Sequence, residues 1–205
     1  MLTRWLSSAG QALERAKDPL IWVALAYAVG VSAGAAAVHL GNAFALRERD
    51  RIVGHADSDP AAVSLARGER VSAALCDFSG NLGRGAVPYT VMGLGVVVPL
   101  PFVVYQGWVG GIVSVDEHHA SRFGTPKEGV YYGGVMLLQL VPYSLAVAAG
   151  IRLGLAFSMP RGRYGYPDGQ RWIGLPAEGV RDVLRIYSIV IPLFLTASFV
   201  EFLAR

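Results

Sequence analysis

Residues 20–40, LIWVALAYAVGVSAGAAAVHL, run for 21 positions without one Asp, Glu, Lys or Arg. A helix rises 1.5 Å per residue, so about 20 apolar residues cross the ~30 Å hydrocarbon core of a bilayer. This stretch therefore places the chain among integral membrane proteins. Asp18-Pro19 marks its start, since proline suits a first helical turn. Inside it, Gly30 and Gly34 stand four apart among Ala26, Ala28, Ala33, Ala35, Ala36 and Ala37. Small residues let a second helix approach closely, so the segment is expected to pack within a bundle.

Three further apolar blocks follow. Residues 87–115 carry no charge, and Pro99 and Pro101 should bend or break the block near its middle. Its length of 29 residues exceeds one straight span and falls short of two spans plus a turn. The expectation is one kinked helix, or a helix followed by a re-entrant piece. Residues 129–157 hold Arg152 as their only charge, placed where a long side chain can snorkel to the interface, and Pro142 should kink them. Residues 180–204 form the last block, with an apolar core at 186–200 and Pro192 as a kink. Ahead of the first span, residues 1–18 read as an amphipathic interfacial helix, with Leu2, Trp5, Leu6, Ala9, Leu13 and Ala16 at helical spacing. No cleavable leader is expected, because Ser7, Ser8 and Gln11 interrupt the 5–13 stretch.

The connections are polar. Residues 47–51 form a mixed-charge run expected to be a solvated helix end, and Asp57-Ser-Asp-Pro60 reads as a turn with Asp59 as N-cap. Residues 61–78 should then be helical until Gly80, Gly83 and Gly85 break the helix. Residues 158–179 lack periodicity and read as loop. The resulting class is all-α: a single membrane domain over 1–205, a polytopic bundle of about four kinked transmembrane helices with room for five or six. With four spans, the first and third connections carry ten basic residues against six on the other side, which favours them as cytoplasmic.

Composition agrees with this class. Of 205 residues, 53% are hydrophobic and 16% charged, and the mean hydropathy is +0.43. A soluble domain is nearer a quarter charged. The net charge of +3 lies between apolar runs, as in membrane proteins, so nucleic acid is not an expected partner. One cysteine, Cys76, excludes an internal disulfide framework.

Catalytic and metal motifs fail on inspection. Asp116-Glu-His-His119 has no second histidine group nearby in sequence, and reads as a water-facing loop. Gly80-Asn-Leu-Gly-Arg-Gly85 lacks the lysine and Ser/Thr of a P-loop, and reads as a helix breaker. No Gly-x-Ser-x-Gly elbow is present. No metal, cofactor or catalytic residue is expected. The polar groups inside apolar blocks are more informative, because burying one without a partner costs roughly 2–7 kcal/mol. Gln106, Gln139 and Glu201 should face other helices, a cavity or the interface. They join Gly30, Gly34, Asn81, Gly107 and Gly110 as candidates for helix packing or for lining a pathway.

Four short segments carry a family resemblance: Phe78-Ser-Gly-Asn81, Gln106-Gly-Trp-Val-Gly110, Ala148-Ala-Gly-Ile-Arg-Leu-Gly154 and Ala197-Ser-Phe-Val-Glu201. Over residues 20–205 the chain resembles a divergent member of the stage II sporulation protein M family of integral membrane proteins. Two departures stand out. The family's Asn-Gly is Gln106-Gly107 here, and its His-Gly-x-x-Glu signature is replaced by Gly133, Gly134 and Gln139. If Gln139 stands for that glutamate, the acid's role is altered or lost. The resemblance implies a scaffold rather than an enzyme, anchoring partners that remodel the cell wall.

The expected function is thus a non-catalytic membrane subunit that anchors or organises an envelope complex in a bacterial inner membrane. Its partners would be the lipid bilayer and other membrane or envelope proteins, with an oligomer or complex as the working form. The alternative is a permease subunit of an ATP-driven transporter, whose ATPase must be a separate chain. A cofactor-binding subunit is a third reading, resting only on histidines that lie outside span centres.

Overall fold

A computed structural model describes residues 2–56, 58–166 and 169–203, without the side chains of Leu2, Thr3, Arg4, Leu6 and Val135. Asp57 of the expected turn, the terminal Ala204 and Arg205, and the Leu2 and Leu6 part of the amphipathic stripe lie outside the described residues or side chains.

The described chain is helical apart from its loops, one hairpin of two-residue strands and an isolated bridge between Val115 and Ser121. Its helices are α1 (Leu2–Arg15), α2 (Lys17–His39), α3 (Ala43–Ala56), α4 (Pro60–Ala66), α5 (Arg70–Gly80), α6 (Val87–Gly93), α7 (Pro99–Ile112), α8 (Pro126–Ser158) and α9 (Ala177–Leu203), with a π-helical turn, Asn81–Ala86, joining α5 to α6. Strands β1 (Arg171–Trp172) and β2 (Leu175–Pro176) pair antiparallel before α9. Three helices are long and apolar enough to cross a membrane: α2, α8 and α9, of 23, 33 and 27 residues. That is fewer than the four expected. The missing span is the 87–115 block, which divides into α6 and α7 of 7 and 14 residues around a turn at 94–98. The turn places Val96 at φ 59, and Pro99 opens the next helix instead of kinking a continuous one.

A second expectation also fails. Gly80, Gly83 and Gly85 do not break the helix; α5, the π turn and α6 run without interruption from 70 to 93. Pro88 cannot donate to the carbonyl of Arg84, and the wider π turn carries the backbone past that lost bond. The break lies earlier, at 67–69, between α4 and α5. Asp59 does cap α4, accepting from the Ala61 N–H at 2.9 Å. Thr125 caps α8 by accepting from the Glu128 N–H.

Two close seams set the architecture. A methyl group on Gly30 would lie 2.2 Å from the Val104 carbonyl oxygen, and one on Gly34 the same distance from that of Trp108. Reciprocally, a methyl group on Gly107 or Gly111 would collide with the carbonyl of Tyr27 or Val31. The numbering rises together on both helices, so α2 and α7 run parallel with their backbones in contact. The second seam joins α6 to α8: a methyl group on Gly150 would collide with the Thr90 carbonyl, and one on Gly93 with the backbone of Gly150 and Ile151. This pair is also parallel. Residues 144–156 of α8 are buried throughout, and α9 packs antiparallel beside them through Ile186, Val190 and Phe194.

Helix α1 seats Ala9 and Ala12 in the interior, followed by Ala16 at its junction with α2, and leaves Trp5 exposed. Arg15 fastens it to α9 by two 2.6 Å bonds to Asp182, which also accepts from the Tyr166 hydroxyl at 2.8 Å. Arg152 does not snorkel. It is 4% exposed, donates to the Tyr164 carbonyl at 2.7 Å and lies 4.6 Å from the Tyr166 ring centroid. The 159–166 segment folds over it instead. Nor is 47–51 wholly solvated: Arg49 is 3% exposed, between Asp50 and the Val115 carbonyl.

Candidate functional site

The polar residues that stood out within the apolar blocks converge. Between α2, the π turn, α7, α8 and the end of α9 lies a cavity of about 380 Å³. Asn81, Gln106, Gly110, Gln139 and Glu201 all line it. The other three candidates, Gly30, Gly34 and Gly107, belong to the α2–α7 seam, where Gly107 meets the backbone of Tyr27 and Gly111, one turn on, that of Val31 and Gly34. Gly110 sits one position round the helix from Gly111, so it faces the cavity. A methyl group there would meet the Tyr27 hydroxyl at 3.0 Å and Met136 at 3.1 Å.

Each polar side chain has a defined partner. The Gln106 amide donates to the Tyr89 hydroxyl at 3.0 Å, tying α7 to α6. Gln139 donates from Nε2 to Glu201 Oε2 at 2.8 Å, tying α8 to α9. The Tyr143 hydroxyl donates to Asn81 Oδ1 at 2.8 Å, and Asn81 Nδ2 donates to Asp77 Oδ2 at 2.9 Å. The same carboxylate oxygen accepts from Ser198 at 2.7 Å. The π turn aims Asn81 at both Tyr143 and Asp77, a use of the widened turn that recurs at functional sites. One group is left over: Ser144 Oγ is buried on the wall with no hydrogen-bond partner among the described residues. An unsatisfied buried hydroxyl costs about 1–3 kcal/mol, a cost that a ligand can remove.

The sequence reading did not single out Asp77, Ser144, Tyr27, Tyr89, Tyr132 or Tyr143. Asp77 sits in a segment read as a polar connection, and a tyrosine in an apolar block is ordinary packing until its hydroxyl finds a partner. A signal existed for Asp77: it is the one charged residue in 71–78, beside the apolar Leu75 and Phe78.

The Asp116–His119 cluster forms a turn, with Asp116 Oδ1 accepting from the His118 and Ala120 N–H groups at 2.8 and 2.9 Å. His119 reaches across to Asp50 at 3.2 Å. The Arg49 hydrogen bond, followed by that of His119, holds the Asp50 carboxyl below its ordinary range. Among the described residues, no three His, Cys, Asp or Glu side chains gather as a metal-ion site would require.

Comparison of the chain with protein-family models, with curated proteins and with solved structures finds no match.

Proposed function

We propose that this chain is a non-catalytic, multi-pass subunit of the bacterial cytoplasmic membrane whose inter-helical cavity receives a small molecule for passage, in partnership with a separate ATPase chain. The observation that carries this reading is the cavity itself. Its 380 Å³ falls within the range of small-molecule sites, and hydrogen-bonding side chains from helices distant in sequence converge on it. Ionisable groups are costly at membrane depth and mark pathways by default. Glu201 and Asp77 are such groups.

In this reading five segments cross the membrane: α2, the continuous rod from α5 to α6, α7, α8 and α9. The 24-residue rod spans roughly 36 Å at 1.5 Å per residue. The 14 residues of α7 cover about 21 Å, so its ends complete the crossing as irregular backbone. Such backbone is tolerated at depth where neighbouring helices cover it. Five crossings move residues 159–176 to the side of α1. Arg161, Arg163, Arg171 and Arg181 then join Arg4, Arg15 and Lys17, opposite Arg47, Arg49, Arg51, Arg67, Arg70, Arg84, Arg122 and Lys127, so the two sides come nearly level and positive charge no longer selects an orientation.

The anchoring role is the second reading. It draws on the resemblance to the sporulation family and on α3 and α4, which offer a platform outside the three long spans, with Phe44 and Val63 exposed. Flux through proteoliposomes holding the chain and its ATPase separates the two. Passage that Gln139→Leu abolishes supports the permease, whereas no ATP-dependent flux of any solute, together with wall-remodelling proteins retained in mild detergent, supports the anchor.

A further inference from the structure

The tip of the hairpin carries a side chain that the fold does not explain. Strand register pairs Arg171 with Pro176 and Trp172 with Leu175, leaving Ile173 and Gly174 as a two-residue loop. Both loop residues have positive φ, 51° and 82°. That geometry favours Asn-Gly, and a branched residue adopts it only under strain. Ile173 stands there with its side chain fully exposed. A strained apolar side chain that packs against nothing in its own chain calls for a contact outside it.

Neighbouring residues give the tip a direction. Trp172, also exposed, has the Arg181 guanidinium over its ring, 5.2 Å from the centroid. Arg181 belongs to α9, whose buried face is Asp182, Ile186, Val190, Phe194 and Ala197. Arg181, Leu184, Ile191 and Leu195 recur at helical spacing on the opposite face, where Leu184, Ile191 and Leu195 are exposed. With α9 across the membrane, that face meets lipid. The hairpin tip therefore lies on the lipid side of α9.

The same contact sets its height. Leu184 is the first exposed apolar residue on the outward face, and Arg181 precedes it by roughly 4.5 Å of helical rise. The headgroup layer adds about 5–7.5 Å on each side of the hydrocarbon. Arg181 and Trp172 thus stand within that layer. Tryptophan concentrates there, because its ring is apolar and its N–H is wet. Positive charge surrounds it: Arg15, Arg181 and Arg185 outnumber their acids, Glu178 and Asp182, and Arg171 flanks the tip. That surplus matches lipid phosphate, which arginine binds through paired N–H donors.

We propose that the Trp172-Ile173 tip is seated in the headgroup layer of the chain's own membrane, where it holds the entry of α9 at a fixed depth. The occupant of this surface is phospholipid. The inference requires α9 to span, and is independent of what the cavity receives.

The test places a nitroxide label on the full chain in vesicles of phosphatidylcholine and phosphatidylglycerol. Cys76, the single cysteine, is removed as Cys76→Ser. The label is carried at Ile173→Cys, with Leu195→Cys as the lipid reference and the exposed Ser58→Cys as the aqueous one. The reading is the ratio of collisions with oxygen, which concentrates in the bilayer, to collisions with a water-soluble nickel chelate. At position 173 it should fall between the two references, clearly above the value at 58. A ratio equal to that at 58 puts the tip in water and overturns the proposal. A ratio equal to that at 195 puts it in the hydrocarbon, and shielding from both reagents puts it against a partner protein or a second copy; either result also overturns it. Trp172 gives a reading without a label, which decides where a labelled variant fails to fold. The emission lost in Trp172→Phe should be quenched by phosphatidylcholine brominated near the headgroup end of its acyl chain and spared by acrylamide. The reverse pattern overturns the proposal.

Discussion

Gly34→Ala tests the reasoning at its structural root. The added methyl would lie 2.2 Å from the Trp108 carbonyl oxygen, 3.0 Å from Ile112 N and 3.1 Å from Gly111 Cα. All three are backbone atoms of α7, so no side chain can rotate aside. An ordinary carbon-to-carbonyl approach is about 3.3 Å, so α7 must retreat by roughly 1 Å. Overpacking of this kind costs up to about 3 kcal/mol, and replacing a helical glycine returns about 1 kcal/mol, for a net loss near 2 kcal/mol. For a chain of this size that is about 4–8 °C in the unfolding midpoint. Thermal unfolding in detergent, followed by tryptophan emission, reads it well because Trp108 lies in the seam. Gly54→Ala is the control, since nothing lies within 4 Å of that position and helix propensity alone should leave it neutral or slightly stabilised. Gly34→Ala as stable as the unaltered chain, or Gly54→Ala equally damaged, would refute the backbone-contact seam.

Arg15→Ala should release α1 from α9, because Asp182 loses two 2.6 Å bonds while keeping Tyr166 and Arg185. A loss of about 1–3 kcal/mol is expected, seen as faster tryptic cleavage at Lys17. Asp50 is held low by Arg49 and His119, so its contribution to joining α3 to the 116–121 turn is present above its unfolded value, near 3.9, and is lost as pH falls through the lower folded value. Carboxyl NMR should place its midpoint below about 3.9, and His119→Ala should move it upward; an unmoved midpoint would discard the contact. Ile173 occupies the hairpin tip at φ 51, a conformation costing a branched residue about 1–2 kcal/mol. Ile173→Asn should therefore raise the stability of the 171–176 hairpin by about 1 kcal/mol, measured by amide exchange, and slower exchange is the outcome required.

Legibility in the sequence followed how local each cause is. Residues 20–40 were readable because absence of charge over a membrane's thickness needs no knowledge of neighbours. The 87–115 block was not, because hydropathy adds up across a turn. Its prolines announce a break, but whether the two pieces stay collinear depends on the α6–α8 and α2–α7 seams, which are long-range contacts. Gly80, Gly83 and Gly85 misled for a similar reason. Glycine lowers helix propensity, yet here the Tyr143 ring lies against Gly85 and occupies the space a side chain would need. Tertiary contact overrides local preference. Gln106, Gln139 and Glu201 were legible as residues in need of partners, because each is a polar side chain set in an apolar block. Which partner each finds depends on helix rotation, which no spacing encodes.

The seams and the cavity follow from one another. Glycine at Gly30, Gly34, Gly107 and Gly111 draws α2 and α7 together until their backbones touch, and Gly93 and Gly150 do the same for α6 and α8. Each pair thereby behaves as one thick rod. Between the rods the facing residues are large: Tyr27 and Gln106 on one pair, Tyr89, Gln139 and Tyr143 on the other. Rods held apart by such side chains cannot close, and the space left is the cavity. The same small residues that appear as ordinary membrane-helix packing thus act at a distance on the site. They fix how far Gln106 reaches toward Tyr89, and Gly110, the position next to the seam, leaves room that a side chain would fill. The glycines and the polar residues of this chain are therefore parts of a single device, in which close packing on one side of each helix creates room on the other.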